Sequence, residues 1–195
     1  MLNVYNYHDN AKDLPLYNKL AHTIDIAFEL FKSPGGWGRD PRIDYTNVLK
    51  SVESIIAKKP ELAYSYASNI LHRQWSAGEP AIMKSPEYAY YYARFILTRR
   101  WEDAESVIMK EPQWAYKYAV YVMKGRWKEA EPYIIKNIEF AMQYAMNTNE
   151  RWPEAENEMH KILADEDYYN DETGFEHKEA VELWDEYTEH FGIDE

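Results

Sequence analysis

Seven columns of residues recur along this chain in one register. Trp75, Trp101 and Trp127 are 26 residues apart, and Trp152 follows after 25. Glu53, Glu79, Glu105 and Glu131 keep the same step, as do Ile56, Ile82, Ile108 and Ile134, and Lys58, Lys84, Lys110 and Lys136. The other half of the unit repeats too: Ala63, Ala89, Ala115 and Ala141; Tyr66, Tyr92, Tyr118 and Tyr144; Ala67, Ala93, Ala119 and Ala145. A fixed period of this length marks a stack of small structural units. One such unit cannot bury its apolar face alone, whereas neighbours in a stack can bury it for each other.

Each unit reads as two short helices. In "WEDAESVIMK", Trp101, Ala104 and Ile108 fall on one helical face. In "EPQWAYKYAVYVMKG", Ala115, Tyr118, Ala119 and Val122 do the same. Pro60, Pro86 and Pro112 stand where the second helix should begin, a place where the missing N–H has no partner to lose. Gly125 follows the second helix and is expected to close it in a left-handed conformation. The small Ala columns let helices approach closely. The Tyr and Trp columns fill the space between hairpins, with their polar tips at the edge. Glu early in the first helix and Lys in its last turn are expected to complement the helix dipole.

The 195 residues contain no Cys, which excludes a disulfide framework and thiolate metal sites. No apolar run approaches membrane-spanning length, and "MLNVYNYHDNAKD" lacks a basic segment followed by an apolar one, so a cytoplasmic setting is expected. The net charge of -12 is uneven. Residues 151–195 hold 16 Asp and Glu against 3 Lys and Arg, whereas residues 46–150 hold 12 against 14.

The stretches "RRWEDAESVIMKEPQWAYKYA", "GRWKEAEPYIIKNIEFAMQYA" and "RWPEAENEMHK" resemble a family of short α-hairpin repeats with the pattern R-W-P-E-A-E-x-x-I-x-K-x-P-E-x-A-Y-x-Y-A. That family occurs in tailed phages and some bacteria, mostly with unassigned function. The resemblance covers roughly residues 46–161. Departures are Gln74 in place of the Arg and Ile138 in place of the Pro. It implies a helical solenoid and carries no catalytic residues.

The expected fold is therefore all-α: a short α-hairpin solenoid of about four to five hairpins, with tetratricopeptide-like stacking but a shorter repeat. Residues 1–45 would form an N-terminal capping helix and a Gly-rich loop, 46–161 the array, and 162–195 an acidic linker and a C-terminal capping helix. Leu16, Leu20, Ile24, Ala27, Phe28 and Phe31 give the first cap its apolar stripe. Val181, Trp184, Thr188 and Phe191 are expected to do so for the last, with Thr173 and Glu176 spaced as its capping box.

Three features carry a functional reading beside a structural one. In "SPGGWGRDPR", backbone amides with Arg39 and Arg42, beside Trp37, could cradle an anion or contact a partner; otherwise the stretch only connects the first helix to the array. Arg100, Arg126 and Arg151 precede successive Trp residues and would lie ~10 Å apart along one edge of a stack. They form either a basic ladder for an acidic partner or packing groups over the Trp rings. The acidic end is either a soluble surface or an imitation of a phosphate array. Glu156 and His160 share a helical face, which is too little for a metal site, and no nucleotide or H-E-x-x-H motif occurs.

The resulting expectation is a protein that is not an enzyme and needs no cofactor or metal. It would bind a protein partner, with a phage-type inhibitor of a host or defence protein as the finer expectation. Direct binding of nucleic acid or membrane is not expected, and a homo-oligomer is allowed. The alternatives are an acidic nucleic-acid mimic that blocks a nucleic-acid-binding protein, and an enzyme using the Gly-rich loop. Candidate contacts are Arg100, Arg126, Arg151, Trp37 and Arg39.

Overall fold

Proline spacing sets where helices begin, and the backbone follows it. The computed structural model of the protein describes residues 53–193, and every regular element among them is a helix. After a helical turn at 53–56, the order is α1 (Pro60–Tyr66), α2 (Glu79–Ile82), α3 (Pro86–Tyr92), α4 (Glu102–Ile108), α5 (Pro112–Tyr118), α6 (Glu131–Ile134), α7 (Ile138–Thr148), α8 (Pro153–Leu163) and α9 (His177–Phe191). The expected N-terminal helix and the Gly-rich loop with Trp37 and Arg39 lie outside the described residues.

Pro60, Pro86 and Pro112 each open a second helix. Where Ile138 replaces the Pro, Asn137 takes over the helix start: its side chain accepts from the Phe140 N–H at 3.0 Å. The second helices α1, α3, α5 and α7 pack side by side. Each first helix lies more extensively against the second helix before it than against the one after it. Both Ala columns are fully buried, so backbone approaches backbone along this row. Ile82, Ile108 and Ile134 fill the space beneath. Gly78 stands where Ala104, Ala130 and Ala155 stand in other units; a Cβ there would press into the Trp75 ring.

The exits of the second helices explain the irregular spacing of the tryptophans. α1, α3 and α5 widen into π turns, Ala67–Leu71, Ala93–Leu97 and Ala119–Met123. α7 stays α-helical to its end. A π turn holds one extra residue relative to the α path. Ala119 and Lys124 are thus five apart, while Ala145 and Asn149 are four apart. The 26-residue spacing goes with the π turn and the 25-residue spacing with its absence.

The left-handed residue at each exit is not glycine. It is His72, Thr98, Lys124 or Asn149, with φ of 49°, 54°, 60° and 54°. Gly125 was expected in that role but comes one position later. Its N–H reaches back to the Ala119 carbonyl at 3.2 Å, a bond that requires the reversal at Lys124. The Lys column also sits later than expected. The first helices end at Ile82, Ile108 and Ile134, and Lys84, Lys110 and Lys136 lie just beyond the cap residues. Their N–H groups close turns onto carbonyls three residues back.

α9 packs on both α7 and α8. Its inward face is Ala180, Leu183, Trp184, Tyr187 and Phe191, while Val181 is exposed. The face is turned from the expected one because Tyr187 points inward to Trp152 and Glu156. The helix starts at His177, capped by Glu176 with Glu179 in a reciprocal capping box. Thr173 instead holds the preceding turn, accepting from the Phe175 N–H. That turn is ordered by Asn170, whose side-chain oxygen accepts from the N–H groups of Glu172 and Thr173, each at 3.0 Å. Gly174 supplies its positive φ of 74°.

Candidate functional site

The repeating Trp, Glu and Tyr columns meet in one hydrogen-bonded lock per unit. The Tyr118 hydroxyl accepts from the backbone N–H of Trp101 at 2.7 Å and donates to Glu105 at 3.0 Å. Tyr92 does the same with Trp75 and Glu79, at 2.7 and 3.1 Å. Tyr144 does it with Trp127 and Glu131, at 2.6 and 3.3 Å. The tyrosines are fully buried rather than tipped to an edge, so a polar partner for each hydroxyl is obligatory. Burial is also the main cause that pushes the hydroxyls of Tyr92 and Tyr144 up to about 12 and Tyr118 higher still.

The arginines of the ladder complete these locks. Arg100 grips Glu105 through two nitrogens, at 2.9 and 2.8 Å. Arg126 holds Glu131 at 2.7 and 2.6 Å, and Arg151 holds Glu156 at 2.9 and 2.6 Å. Gln74, the departure from the pattern, donates to Glu79 at 2.7 Å from the same position. Arg126 is the most enclosed, with its side chain 15% exposed. Its guanidinium lies over Tyr144 and over Trp152 of the following unit, and it donates to the Arg151 carbonyl. Arg100 and Arg151 are about half exposed. The row is thus a series of neutral pairs, each cation facing a carboxylate.

The last lock is assembled differently. Tyr187 of α9 accepts from the Trp152 N–H at 3.1 Å and donates to Glu156 at 2.6 Å. Glu156 is buried, and the Arg151 guanidinium, helped by the Tyr187 hydroxyl, holds its carboxyl below the usual range. This carboxylate is therefore occupied, and the His160 ring packs against Trp184 instead of sharing an ion with it. Among the described residues no three His, Asp or Glu converge as a metal site.

A second constellation lies on the row of second helices. Tyr64, Tyr88, Tyr91, Phe95 and Trp114 form a chain of ring contacts at 5.4–6.5 Å across α1, α3 and α5. Phe95 and Tyr121 project from the π turns and are 54% and 43% exposed. Between them lies Arg94, its guanidinium 4.2 Å from the Tyr121 ring centre and 5.0 Å from that of Phe95, with a hydrogen bond to the Tyr90 hydroxyl. Lys117 lies 4.8 Å over Trp114. Neither cation has a carboxylate partner among the described residues, in contrast to the three ladder arginines.

Column reasoning passes over this face because its residues change from unit to unit. The position of Phe95 is Asn69, Tyr121 and Asn147 elsewhere. Where the π turn is absent, Asn147 folds back to the Gln143 carbonyl. A groove of about 520 Å³ also lies between α7 and the 165–175 turn, lined by Lys136, Glu139, Lys161, Tyr168 and Phe175 among others. Burial, with Glu179 adding to it, pushes the Glu139 carboxyl up.

No family model, curated protein or solved structure matches this chain.

Proposed function

We propose that the chain is a non-enzymatic protein-binding module, a short α-hairpin solenoid in which α9 serves as the C-terminal capping helix. The observation that carries this reading is the face at Arg94, Phe95 and Tyr121. Exposed aromatic rings around an arginine that has no carboxylate partner among the described residues are the composition of a protein-contact centre. Arg100 and Arg151, half exposed at their pairs with Glu105 and Glu156, would serve the rim. Inhibition of a host or defence protein, a setting that fits the occurrence of the resembled repeats in tailed phages by association, would use the same face. The test is affinity capture from the native cell with the wild-type chain and with Phe95→Ser/Tyr121→Ser. A stoichiometric protein is expected with the first and absent with the second at equal helicity. Retention by the double variant, with loss in Arg100→Ala/Arg151→Ala, would move the site to the ladder edge and refute the aromatic face.

A second reading is an acidic decoy for a nucleic-acid-binding protein. What favours it is that every Asp and Glu from Glu154 to Glu189 is exposed except Glu156. Deleting residues 165–195 is a poor test, because it also removes Tyr187 from the last lock. Reversing Glu182, Asp185, Glu186 and Glu189 to Lys leaves the lock in place. Unchanged partner binding in that variant eliminates the decoy.

A further inference from the structure

Two of the exposed aromatic sites carry opposite charge. One is the Phe95/Tyr121 face with Arg94 and Lys117. The other is Tyr169, 60% exposed on the turn before α9. Asp165, Glu166 and Asp167 precede it and Asp171 and Glu172 follow it, all exposed and none in an ion pair among the described residues. A ring held out among carboxylates is the chemical counterpart of an arginine held among rings. The carboxylates can pair with Arg94 and Lys117 while Tyr169 covers Phe95 and Tyr121.

We propose that the 165–173 turn of one copy docks on the α3–α5 face of a second copy. This rests on the reading of that face as a protein-contact surface and names its occupant. The turn cannot swing onto its own face. Asn170 and Phe175 bond across it at 2.9 Å, Tyr168 accepts from the His177 N–H, and the Phe175 ring is buried in the core. Face and turn are different surfaces, so the contact is heterologous. Each docked pair keeps one free face and one free turn, and assembly proceeds head to tail. One aromatic ring and a few charges make a small interface, and the association is accordingly weak and reversible. It also depends on salt, because the Debye length shrinks from about 10 Å at 0.1 M to about 3 Å at 1 M.

Sedimentation velocity on the full chain tests this. The average mass should rise between about 10 µM and about 1 mM protein at 0.1 M salt and fall back at 1 M salt. Asp167→Lys/Tyr169→Ser, with no usable turn, and Arg94→Glu, with no usable face, should each stay monomeric. Phe95→Ser, at a more exposed position, repeats the face test should Arg94→Glu fold poorly. Mixed in equal amounts, the turn variant and a face variant should form heterodimers that stop at two, since one working turn meets one working face. A wild-type chain that is monomeric at about 1 mM overturns the proposal. So does a mixture that gives no heterodimer, which would mean a symmetric contact elsewhere. The wider reading is tested separately. If Asp167→Lys/Tyr169→Ser still captures a cellular protein and Phe95→Ser does not, the face binds protein even where self-docking has failed.

Discussion

The α4–α5 hairpin and the α8–α9 pair make the same lock from differently spaced residues. In the first, Tyr118 follows Trp101 by 17 residues; in the second, Tyr187 follows Trp152 by 35. The intervening chain has changed from a tight hairpin to an acidic turn. Yet α9 still rests on α7 and α8, and a tyrosine still joins the Trp N–H to the Glu. The lock therefore belongs to a place in the packing rather than to a repeat. Wherever a first helix begins beside a second helix, its Trp N–H is buried and needs an acceptor. The tyrosine hydroxyl of the next helix is what reaches it. The balance within the lock differs as well. Tyr118 sits closer to the N–H, at 2.7 Å against 3.0 Å for Glu105, and Tyr187 sits closer to its carboxylate, at 2.6 Å against 3.1 Å for the N–H.

Truncating the two tyrosines should show the largest effect and the clearest contrast. Tyr118→Ala and Tyr187→Ala each remove a buried ring and should cost about 3–5 kcal/mol in urea unfolding. Hydrogen exchange should then separate them. Loss of Tyr118 should expose amides on both sides of the α4–α5 hairpin. Loss of Tyr187 should free α9 and α8 while α1 to α5 keep their protection. Identical exchange patterns would mean that the end is not a replaceable piece of the row. Removing only the hydroxyls sharpens the point. Tyr118→Phe and Tyr187→Phe keep the rings but strand a buried Trp N–H, and should cost about 1–3 kcal/mol each. The larger loss is expected at Tyr187, whose carboxylate partner is the buried Glu156.

How much of this could be read from the chain follows from the same contrast. The Trp, Ala, Ile and Tyr columns were legible because stacking repeats the same steric demand every 26 residues. The Arg and Glu columns were visible, but their partnership was not. Five residues separate Arg100 from Glu105, with Trp101 and the start of α4 between them, and the dipole of α4 explains an early Glu equally well. Tyr187 carried no signal, since it lies outside the repeat phase and only the third dimension brings it to Trp152. The 25-residue step was plain, but its cause was not, because π closure is chosen by packing and not by the local propensities of "AVYVM" against "AMNT". The aromatic face was missed for the opposite reason. Its side chains vary between units, and a search for repetition discards what varies.

Titration offers a gentler way to compare the two ends of the lock series. The carboxyl of Glu156 is depressed by Arg151 first and then by the Tyr187 hydroxyl. Its stabilising share is therefore present above the ordinary glutamate range near about 4.3 and is lost as the pH falls through its lower folded value. Acidification should loosen α9 before the α4–α5 hairpin, seen as early loss of amide protection in residues 177–191. At high pH the sign reverses. The hydroxyls of Tyr92, Tyr144 and Tyr187 are pushed from 10.0 up to about 12, chiefly by burial. Their share is present below pH 10 and is lost between about pH 10 and 12. The share of tyrosinate absorbance that disappears in Tyr92→Phe, Tyr144→Phe and Tyr187→Phe should rise together with loss of helicity in that window. That share forming near pH 10 with the helices intact would contradict the buried locks.

The smallest effect should come from converting one kind of second helix into the other. The unit of α7 shows that a second helix reaches its left-handed exit with four residues from its Ala, where α5 takes five. Deleting Tyr121 removes one residue from inside the π turn and leaves Ala115, Tyr118 and Ala119 in place. The side chain lost is exposed, so little apolar burial is forfeited. The change in stability should stay within about 1 kcal/mol, and circular dichroism should be unaltered. Deleting Ala115 also shortens the unit to 25 residues, but it rotates the rest of α5 by about 100° against the residues before the deletion. Tyr118 then leaves Trp101 and Glu105, and the hairpin should unfold. If the two deletions cost the same, the π turns are built into the stack and α7 is the exception. If only the second is costly, the extra residue in α3 and α5 is free of structural duty. Its effect is then to carry Phe95 and Tyr121 outward on either side of Arg94.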